Sequence, residues 1–199
     1  MKETDRWLDR WLPLIKEKTS TVLELGCNAG RDTARLAEAG LHVVGTDISA
    51  EALQECARVV PATSAPVLVR HDLREPFPFA DGSFDVIVAS LCLHYFGWDD
   101  TCRIAGEVLR CLSPGGLLLC RLNSTRDVHY GATGFQALEP NYYQVAGRYS
   151  DRKRFFDRAA IDALFGAEWT HVAVEEMTIA RYEKPKCVWE VVMRKAARS

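Results

Sequence analysis

Apolar residues follow two patterns that alternate along residues 21–122. Short continuous apolar runs are typical of strands buried on both faces, and apolar residues at helical spacing are typical of amphipathic helices. Their alternation predicts a doubly wound α/β fold around a parallel sheet. The predicted strands span residues 21–25, 42–46, 67–70, 84–89 and 117–122, and the predicted helices span residues 30–39, 50–59, 101–112 and 156–165.

The two ends of the chain add further elements. Residues 170–182 and 186–195 have the pattern of two strands joined near Lys184 and Pro185, which predicts a C-terminal hairpin. Residues 4–17 carry apolar side chains at helical spacing, and Pro13 should break or kink that helix. We therefore expect an N-terminal helix within residues 1–18 that docks on the core, in a single domain spanning residues 1–199.

Two motifs in this pattern point to a ligand. Residues 22–30 read VLELGCNAG, an apolar run that ends in a glycine turn, and residues 43–48 read VVGTDI, a second run that ends in Asp47. This is the layout of a nucleoside-cofactor site in a parallel sheet. The glycines let the backbone approach the ligand, and the acid accepts hydrogen bonds from ribose hydroxyls.

The turn itself narrows the choice of cofactor. A dinucleotide fingerprint needs glycine at positions that Asn28 and Arg31 occupy here. Glu24 precedes the turn, where its carboxylate would repel a pyrophosphate and attract a cation. S-adenosylmethionine (SAM) carries an ammonium and a sulfonium and has no phosphate, so these residues favour SAM over a nicotinamide cofactor.

Four blocks of sequence then resemble class I SAM-dependent methyltransferases, in the order that the family has them. They are ELGCNAG, VGTDIS, PFPFADGSFDVIVAS at residues 76–90 and EVLRCLSPGG at residues 107–116. The resemblance is to the small-molecule methyltransferase domain, as in the quinone-pathway and tellurite-type enzymes. It implies a Rossmann-like sheet of seven strands, mostly parallel with a C-terminal antiparallel hairpin. Many members have glycine where this chain has Asn28, and asparagine tolerates left-handed backbone angles.

The resemblance also implies residues for the cofactor. Asp72 would accept a hydrogen bond from the adenine amino group and Leu73 would supply a backbone amide, although Asp72 is also suited to a turn or a helix cap. Ile48 would pack on the adenine, and Ser90 and Leu91 would lie beside the methionine end. The expected cofactor-binding residues are Glu24, Gly26, Cys27, Asn28, Gly30, Asp47, Ile48, Asp72, Leu73, Ser90 and Leu91.

Candidate chemistry for the methyl acceptor follows the fourth strand and the fifth. His94 is a candidate general base because its intrinsic pKa lies near neutrality, and Tyr95 is a candidate catalytic neighbour. Both also suit a structural role at the start of a helix. The expected substrate-binding residues are Trp98, Arg121, Asn123, Tyr142 and Tyr143.

The connection at residues 124–154 is long and rich in aromatic residues. It carries Tyr130, Phe135, Tyr142, Tyr143 and Tyr149, and it leaves the carboxyl end of the fifth strand. Long loops at that edge are often lids, so we expect a substrate lid rather than a surface excursion. We expect the charged run at residues 151–154 to be a solvated surface.

Composition sets limits on partners. The net charge is −2, seven cysteines form no C-x-x-C pair, and no apolar run approaches the length of a membrane span. We expect a cytoplasmic monomer or homodimer that needs no metal and binds neither nucleic acid nor membrane.

The leading hypothesis is in-line methyl transfer from SAM to a small molecule, which leaves S-adenosylhomocysteine (SAH). Residues 90–93 read SLCL, and they lack the Asn/Asp-Pro-Pro-aromatic motif that family members use on nucleobase amines. Two alternatives stay open. One is a nucleic-acid or protein methyltransferase that needs a partner chain, and the other is a SAM-binding regulatory protein without turnover.

Overall fold

The computed structural model describes residues 5–145, 150–180 and 182–196. Within these ranges the α-helices are α1 (Leu12–Lys18), α2 (Arg31–Glu38), α3 (Ala50–Val59), α4 (Trp98–Cys111) and α5 (Arg158–Leu164). The strands are β1 (Thr21–Leu25), β2 (His42–Asp47), β3 (Val67–Arg70), β4 (Phe84–Ser90), β5 (Leu112–Asn123), β6 (Gln136–Glu139), β7 (Tyr142–Gln144), β8 (Arg152–Arg154), β9 (Trp169–Ile179) and β10 (Lys186–Lys195).

The main sheet has seven strands in the order β3-β2-β1-β4-β5-β10-β9. The first five run parallel, and β10 pairs antiparallel with both β5 and β9. The order reverses between β1 and β4, which places the topological switch point at the carboxyl ends of these two strands. This arrangement confirms the predicted Rossmann-like sheet with its C-terminal antiparallel hairpin.

Separate cores cover the two faces of this sheet. Leu118, Cys120 and Leu122 of β5 pack with residues of α4 and α5, whereas Leu117 and Leu119 pack with residues of α1 and α2. Because successive residues of a strand point to opposite faces, a continuous apolar run is what a strand between two helical layers requires.

The predicted helix and strand boundaries are close to the observed ones, with two differences around α4. The helix begins at Trp98 rather than at Thr101, because the backbone N–H of Trp98 donates to the Glu139 carboxylate at 2.9 Å and Asp99 lies in the first turn. The strand that follows begins at Leu112, which pairs with Phe84 ahead of a register shift.

The N-terminal segment packs against the sheet as two short helices. A 3₁₀ helix spans Trp7–Arg10 and α1 begins next, so the chain breaks just before Pro13, which occupies the first turn of α1. Leu8 and Ile15 are fully buried, and the Trp7 indole N–H donates to Asp32 at 2.9 Å. The segment therefore docks on the core, as expected; residues 1–4 lie outside the described residues.

A buried ion pair joins this segment to β5. The Arg121 guanidinium is fully buried and donates two hydrogen bonds to the Asp5 carboxylate, at 3.0 and 2.6 Å. The guanidinium carbon also lies 4.9 Å from the centre of the Trp7 ring. The pair matters because a buried charge without a partner is costly.

The 124–154 segment has secondary structure of its own. Strands β6, β7 and β8 form an antiparallel sheet, preceded by a 3₁₀ turn at Val128–Tyr130. The Tyr142 hydroxyl donates to the Tyr95 carbonyl at 3.2 Å, which fixes this sheet against the turn after β4. Tyr149 lies outside the described residues. In the part of the chain that is described, no helix is long and apolar enough to cross a membrane.

The Asp5–Arg121 ion pair predicts that removal of Asp5 and removal of Arg121 lower the free energy of unfolding by different amounts. We expect Asp5→Ala to lower the free energy of unfolding by about 3 kcal/mol, because it leaves the Arg121 charge buried and unpaired. Arg121→Met keeps the apolar volume and leaves only Asp5, whose side chain retains 11% exposure, so its loss should be less than half as large. Urea unfolding measures both values. Glu55→Ala, which breaks an exposed pair with Arg58, is the control and should cost under about 1 kcal/mol. Equal losses for Asp5→Ala and Arg121→Met would contradict this account.

Candidate active site

A cavity of about 1110 Å³ opens at the carboxyl edge of the parallel strands, beneath the 124–154 segment. The turns after β1, β2, β3 and β4 line one part, and the 124–154 segment and the start of β10 line the other. Most of the predicted site residues line it: Glu24, Gly26, Cys27, Asn28, Asp47, Ile48, Asp72, Leu73, Ser90, Leu91, His94, Tyr95, Asn123 and Tyr142.

The turn after β1 depends on three residues with positive φ. Gly26 has φ +62°, Gly30 has φ +80° and Asn28 has φ +48°. The Asn28 side-chain oxygen accepts the Ala29 N–H at 2.7 Å, which supports the left-handed conformation locally. The turn thus keeps its shape with asparagine in place of the glycine that many relatives have.

Gly30 does not line the cavity in this structure, and its contact with the cofactor stays a prediction. A Cβ at this position would lie 2.9 Å from the Cα of Cys56, in α3. The absence of a side chain at Gly30 lets the start of α2 pack closely against α3.

Asp47 ties two turns together at the end of β2. One carboxylate oxygen accepts the Asn28 N–H and the other accepts the Ser49 N–H, each at 2.9 Å. Ile48 follows with 53% of its surface exposed, an apolar side chain beside the cavity that no protein atom covers fully. The carboxylate is therefore held in place and retains lone pairs for a ligand hydroxyl.

Asp72 lies in a turn at the same edge. Its carboxylate accepts the Arg74 backbone N–H at 3.0 Å and pairs with the Arg74 guanidinium at 2.6 Å. These hydrogen bonds hold the pKa of Asp72 below its usual range. Asp72 thus stabilises a turn and also lines the cavity.

Glu24 is buried in the floor of the cavity. The Thr33 hydroxyl donates to its carboxylate at 2.6 Å. Burial raises the pKa of Glu24 well above its usual range, and the nearby Asp32 raises it further. The ionised carboxylate is consequently a high-energy state that a cation in the cavity would stabilise.

The turn after β4 has a strained backbone. Leu91 has φ +55°, a region that is costly for leucine, and its N–H donates to the Arg121 carbonyl at 2.9 Å. Such strain persists where the surroundings impose it, and it is common at ligand sites.

His94 follows this turn and is 5% exposed. Burial lowers its pKa well below the usual value, and the charges of Lys186 and Lys153 lower it further, so the imidazole is neutral at pH 7. The Tyr95 ring lies 4.1 Å away, centre to centre. A neutral histidine is able to accept a proton.

Buried polar atoms without partners concentrate on this cavity. Among the described residues five buried side-chain atoms lack a hydrogen-bond partner, and four of them belong to residues that line the cavity: His71 Nε2, Ser90 Oγ, His94 Nδ1 and Asn123 Oδ1. Because such groups are costly without partners, their concentration here fits a polar ligand. No group of three His, Cys, Asp or Glu residues suited to a metal ion occurs in the described ranges.

Three of the predicted substrate residues do not line the cavity. The side chain of Arg121 pairs with Asp5 in the N-terminal segment of the chain. It is therefore not available to a substrate carboxylate. Trp98 packs against the core between the sheet and α4, and Tyr143 contacts Phe155 at 6.0 Å between ring centres. Local spacing does not show which neighbour covers a side chain, and the geometry does not support these three predictions.

Two lysines line the cavity that the sequence did not single out. Lys153 from β8 and Lys186 from β10 both face it, together with Tyr130 and Tyr182. The expectation of a solvated run at residues 151–154 is wrong for Lys153, which is half-buried, and for Arg154, which is buried and pairs with Glu139. Alternation along a strand would have placed Lys153 and Arg154 on opposite faces, but no pattern had indicated β8.

Comparisons with known proteins agree with this site. Residues 23–120 match the model of a methyltransferase domain. The Bacillus subtilis protein YqeM, named as a candidate methyltransferase, is 32% identical over 123 residues, which cover 61% of this chain and 49% of YqeM. Trans-aconitate 2-methyltransferase from Azoarcus sp. is 33% identical over 113 residues, which cover 56% of this chain and 42% of that enzyme. The chain thus spans about half the length of these curated relatives.

The fold is shared more widely. The crystal structure of a SAM-dependent methyltransferase from Methanosarcina mazei superposes with a TM-score of 0.75 at 19% identity, covering 94% of this chain and 98% of that one. The matched domain contains the glycine turn, Asp47 and the turn after β4, which line one part of the cavity. The chain therefore belongs to the class I SAM-dependent methyltransferases.

Proposed function

We propose that this protein transfers a methyl group from SAM to a small-molecule acceptor. The cavity carries the proposal, because its carboxylates and its aromatic, cationic part occupy different walls of one space. Its volume of about 1110 Å³ exceeds the usual size of a pocket for one ligand, roughly 300–1,000 Å³, which suits two ligands side by side.

The residues at the turns after β1, β2 and β3, which line one part of the cavity, fit the cofactor. Asp47 would accept hydrogen bonds from the ribose hydroxyls, Ile48 would cover one face of the adenine, and Asp72 would accept from the adenine amine, with the Leu73 amide beside it.

The methionine end of the cofactor would lie nearer to β1 and β4. Glu24 would face its cationic groups, and the backbones of Ser90 and Leu91 would lie beside it, while Gly26, Cys27 and Asn28 form the turn below. When bound, SAM supplies a methyl group on a sulfonium whose departure leaves a neutral thioether.

The other part of the cavity, which the 124–154 segment and the start of β10 line, would position the acceptor. The 124–154 segment would act as a lid that excludes water, and its Tyr142 already joins it to Tyr95. His94 would accept a proton from an acceptor that loses one, and Asn123, fully buried with a free Oδ1, would hydrogen-bond a polar group of the acceptor.

The small-molecule acceptor is favoured over a macromolecule by two observations. Net charge is −2, which gives no general attraction for nucleic acid, and one relative is named for trans-aconitate. We further propose that residues 1–199 act as one domain, that no metal is needed, and that the protein works in the cytoplasm as a monomer or homodimer.

Transfer of a methyl label tests the function. We expect protein incubated with methyl-labelled SAM and a cell extract to place the label in a low-mass product. Asp47→Ala should reduce labelling at least tenfold at low SAM, because a charge-assisted hydrogen bond is worth about 1.5–3 kcal/mol. Asp99→Ala removes an exposed acid outside the cavity and is the control. Label confined to RNA or protein would rule out the small-molecule acceptor.

Glu24 predicts a pH-dependent stability. The folded protein keeps the Glu24 proton to a higher pH than the unfolded chain, whose glutamate pKa is about 4.3. The free energy of unfolding therefore falls as pH rises from about 4.3 through the raised pKa, since the costly ionised form appears. We expect Glu24→Gln, which cannot ionise, to have a higher free energy of unfolding than the wild type at pH 8, and this gain to shrink at low pH.

Urea unfolding at the two pH values measures this difference, with Glu17→Gln on the exposed face of α1 as the control. A difference independent of pH would show that burial does not raise the pKa of Glu24. The same Glu24→Gln variant should bind SAM more weakly, because it loses the charge that attracts the cation.

His94 predicts a change in turnover alone. We expect His94→Ala to lower kcat about 100-fold, the usual value of a general base, while the Kd for SAH stays within about twofold. His129→Ala, an exposed histidine of the 124–154 segment, is the matched control. Because the His94 pKa is lowered, the wild-type rate should not decline as pH falls from 8 to about 6.5. Unchanged kcat in His94→Ala would remove the residue from the mechanism.

A further inference from the structure

The part of the cavity assigned to the acceptor carries two lysines on separate elements. Lys153 lies on β8 and Lys186 at the start of β10, and both line the cavity with Tyr130 and Tyr182. The Lys186 ammonium lies 4.9 Å from the centre of the Tyr130 ring and 5.8 Å from that of Tyr182. This end of the cavity is therefore both aromatic and cationic.

The two lysines differ in how their charges are balanced. The Lys186 ammonium pairs with the Asp127 carboxylate at 2.5 Å, with side-chain exposures of 7% and 1%. Asp127 also accepts the Cys187 N–H at 3.2 Å, so it is fixed in place. This buried pair is electrically neutral, and it leaves Lys186 as a wall of the cavity rather than a free cation.

Lys153 has no such balance. Its ammonium contacts the Tyr130 carbonyl at 3.4 Å, and among the described residues no carboxylate forms an ion pair with it. Burial lowers the pKa of Lys153, and the nearby Asp127, which already pairs with Lys186, offsets this effect only in part. The neighbouring His94 is neutral and adds no charge. Arg152 and Asp151 also line this end and pair with each other at 3.7 Å. Lys186 pairs with Asp127, so the acceptor end has one positive charge in excess, that of Lys153.

The positive charge of Lys153 lies on different elements from the residues assigned to the cofactor. The acids Glu24, Asp47 and Asp72 line the cavity at β1, β2 and the turn after β3. Lys186 comes from β10, beyond β5 in the main sheet, and Lys153 comes from β8 in the smaller sheet. A ligand group that meets Lys153 thus belongs to the acceptor side.

We propose that the acceptor carries a carboxylate that binds to Lys153, with the Lys186–Asp127 pair and the rings of Tyr130 and Tyr182 shaping the space around it. This inference rests on the proposed methyltransferase function and names the substrate class. One excess positive charge matches one carboxylate, and a partly buried ammonium gains most from an anion that replaces its lost water.

Ligand-observed saturation-transfer NMR on the full chain, loaded with SAH, tests the proposal. The probes are benzoate and succinate, each compared with its neutral amide, benzamide and succinamide. We expect signals from at least one carboxylate and none from its amide. Lys153→Met should weaken carboxylate binding at least tenfold, and Lys153→Arg should retain most of it. Lys16→Met, an exposed lysine of α1, is the matched control.

Calorimetry of SAH binding by the same variants separates the two claims. Absence of SAH binding by the wild type would overturn the proposed function itself. Normal SAH binding with equal NMR signals from amides and carboxylates, with no carboxylate signal, or with full carboxylate binding by Lys153→Met would overturn the assignment of Lys153 alone. A loss of SAH affinity in Lys153→Met would also overturn it, because Lys153 would then hold the cofactor.

Discussion

The candidate site depends on the Asp47 carboxylate, which accepts one hydrogen bond from the turn after β1 and one from the turn after β2. These bonds fix the left-handed Asn28 against the end of β2, so the floor of the cavity has one shape before any ligand arrives. The parallel pairing of β1 with β2 brings the two turns to one edge, and the reversal of strand order between β1 and β4 opens space beside them. Fold and site are thus connected through one side chain.

Charge distribution divides the cavity into two parts. Around the glycine turn the acids Glu24 and Asp47 line the cavity together with Arg31, and burial raises the pKa of Glu24, so a bound cation would favour its ionisation. Beneath the 124–154 segment Lys153 and Lys186 line the cavity together with Arg152 and Asp151, which pair with each other. Lys186 pairs with Asp127, and among the described residues no carboxylate forms an ion pair with Lys153. A cationic methyl donor and an anionic acceptor would each compensate the part of the wall that they meet, which places opposite charges side by side in a space that the lid would shield from water.

Sequence patterns predicted the main sheet because its strands are buried on both faces and its helices carry one apolar face. Strands β1 (Thr21–Leu25) and β3 (Val67–Arg70) have the predicted bounds. The glycine turn and Asp47 were placed at the site because each lies at the carboxyl end of a predicted strand. Strands β6, β7 and β8 were not predicted, since they have three or four residues each and none shows the alternation of apolar and polar residues that is typical of a strand. Arg121 was assigned to the substrate because its spacing from Asn123 is visible in the sequence, whereas the N-terminal Asp5 that neutralises it is a tertiary contact. Lys153 and Lys186 were missed for the same reason: only the fold brings β8 and β10 to one cavity.

The central claim is that this site binds a sulfonium nucleoside rather than a dinucleotide. Isothermal calorimetry of the wild-type protein with SAM, SAH and NADH tests that claim directly. The charge of Glu24 and the spacing of the glycine turn predict binding of SAM and SAH with Kd values in the micromolar range, which corresponds to about −8 kcal/mol, and no measurable heat with NADH. Binding of NADH in the absence of SAM binding would contradict the account.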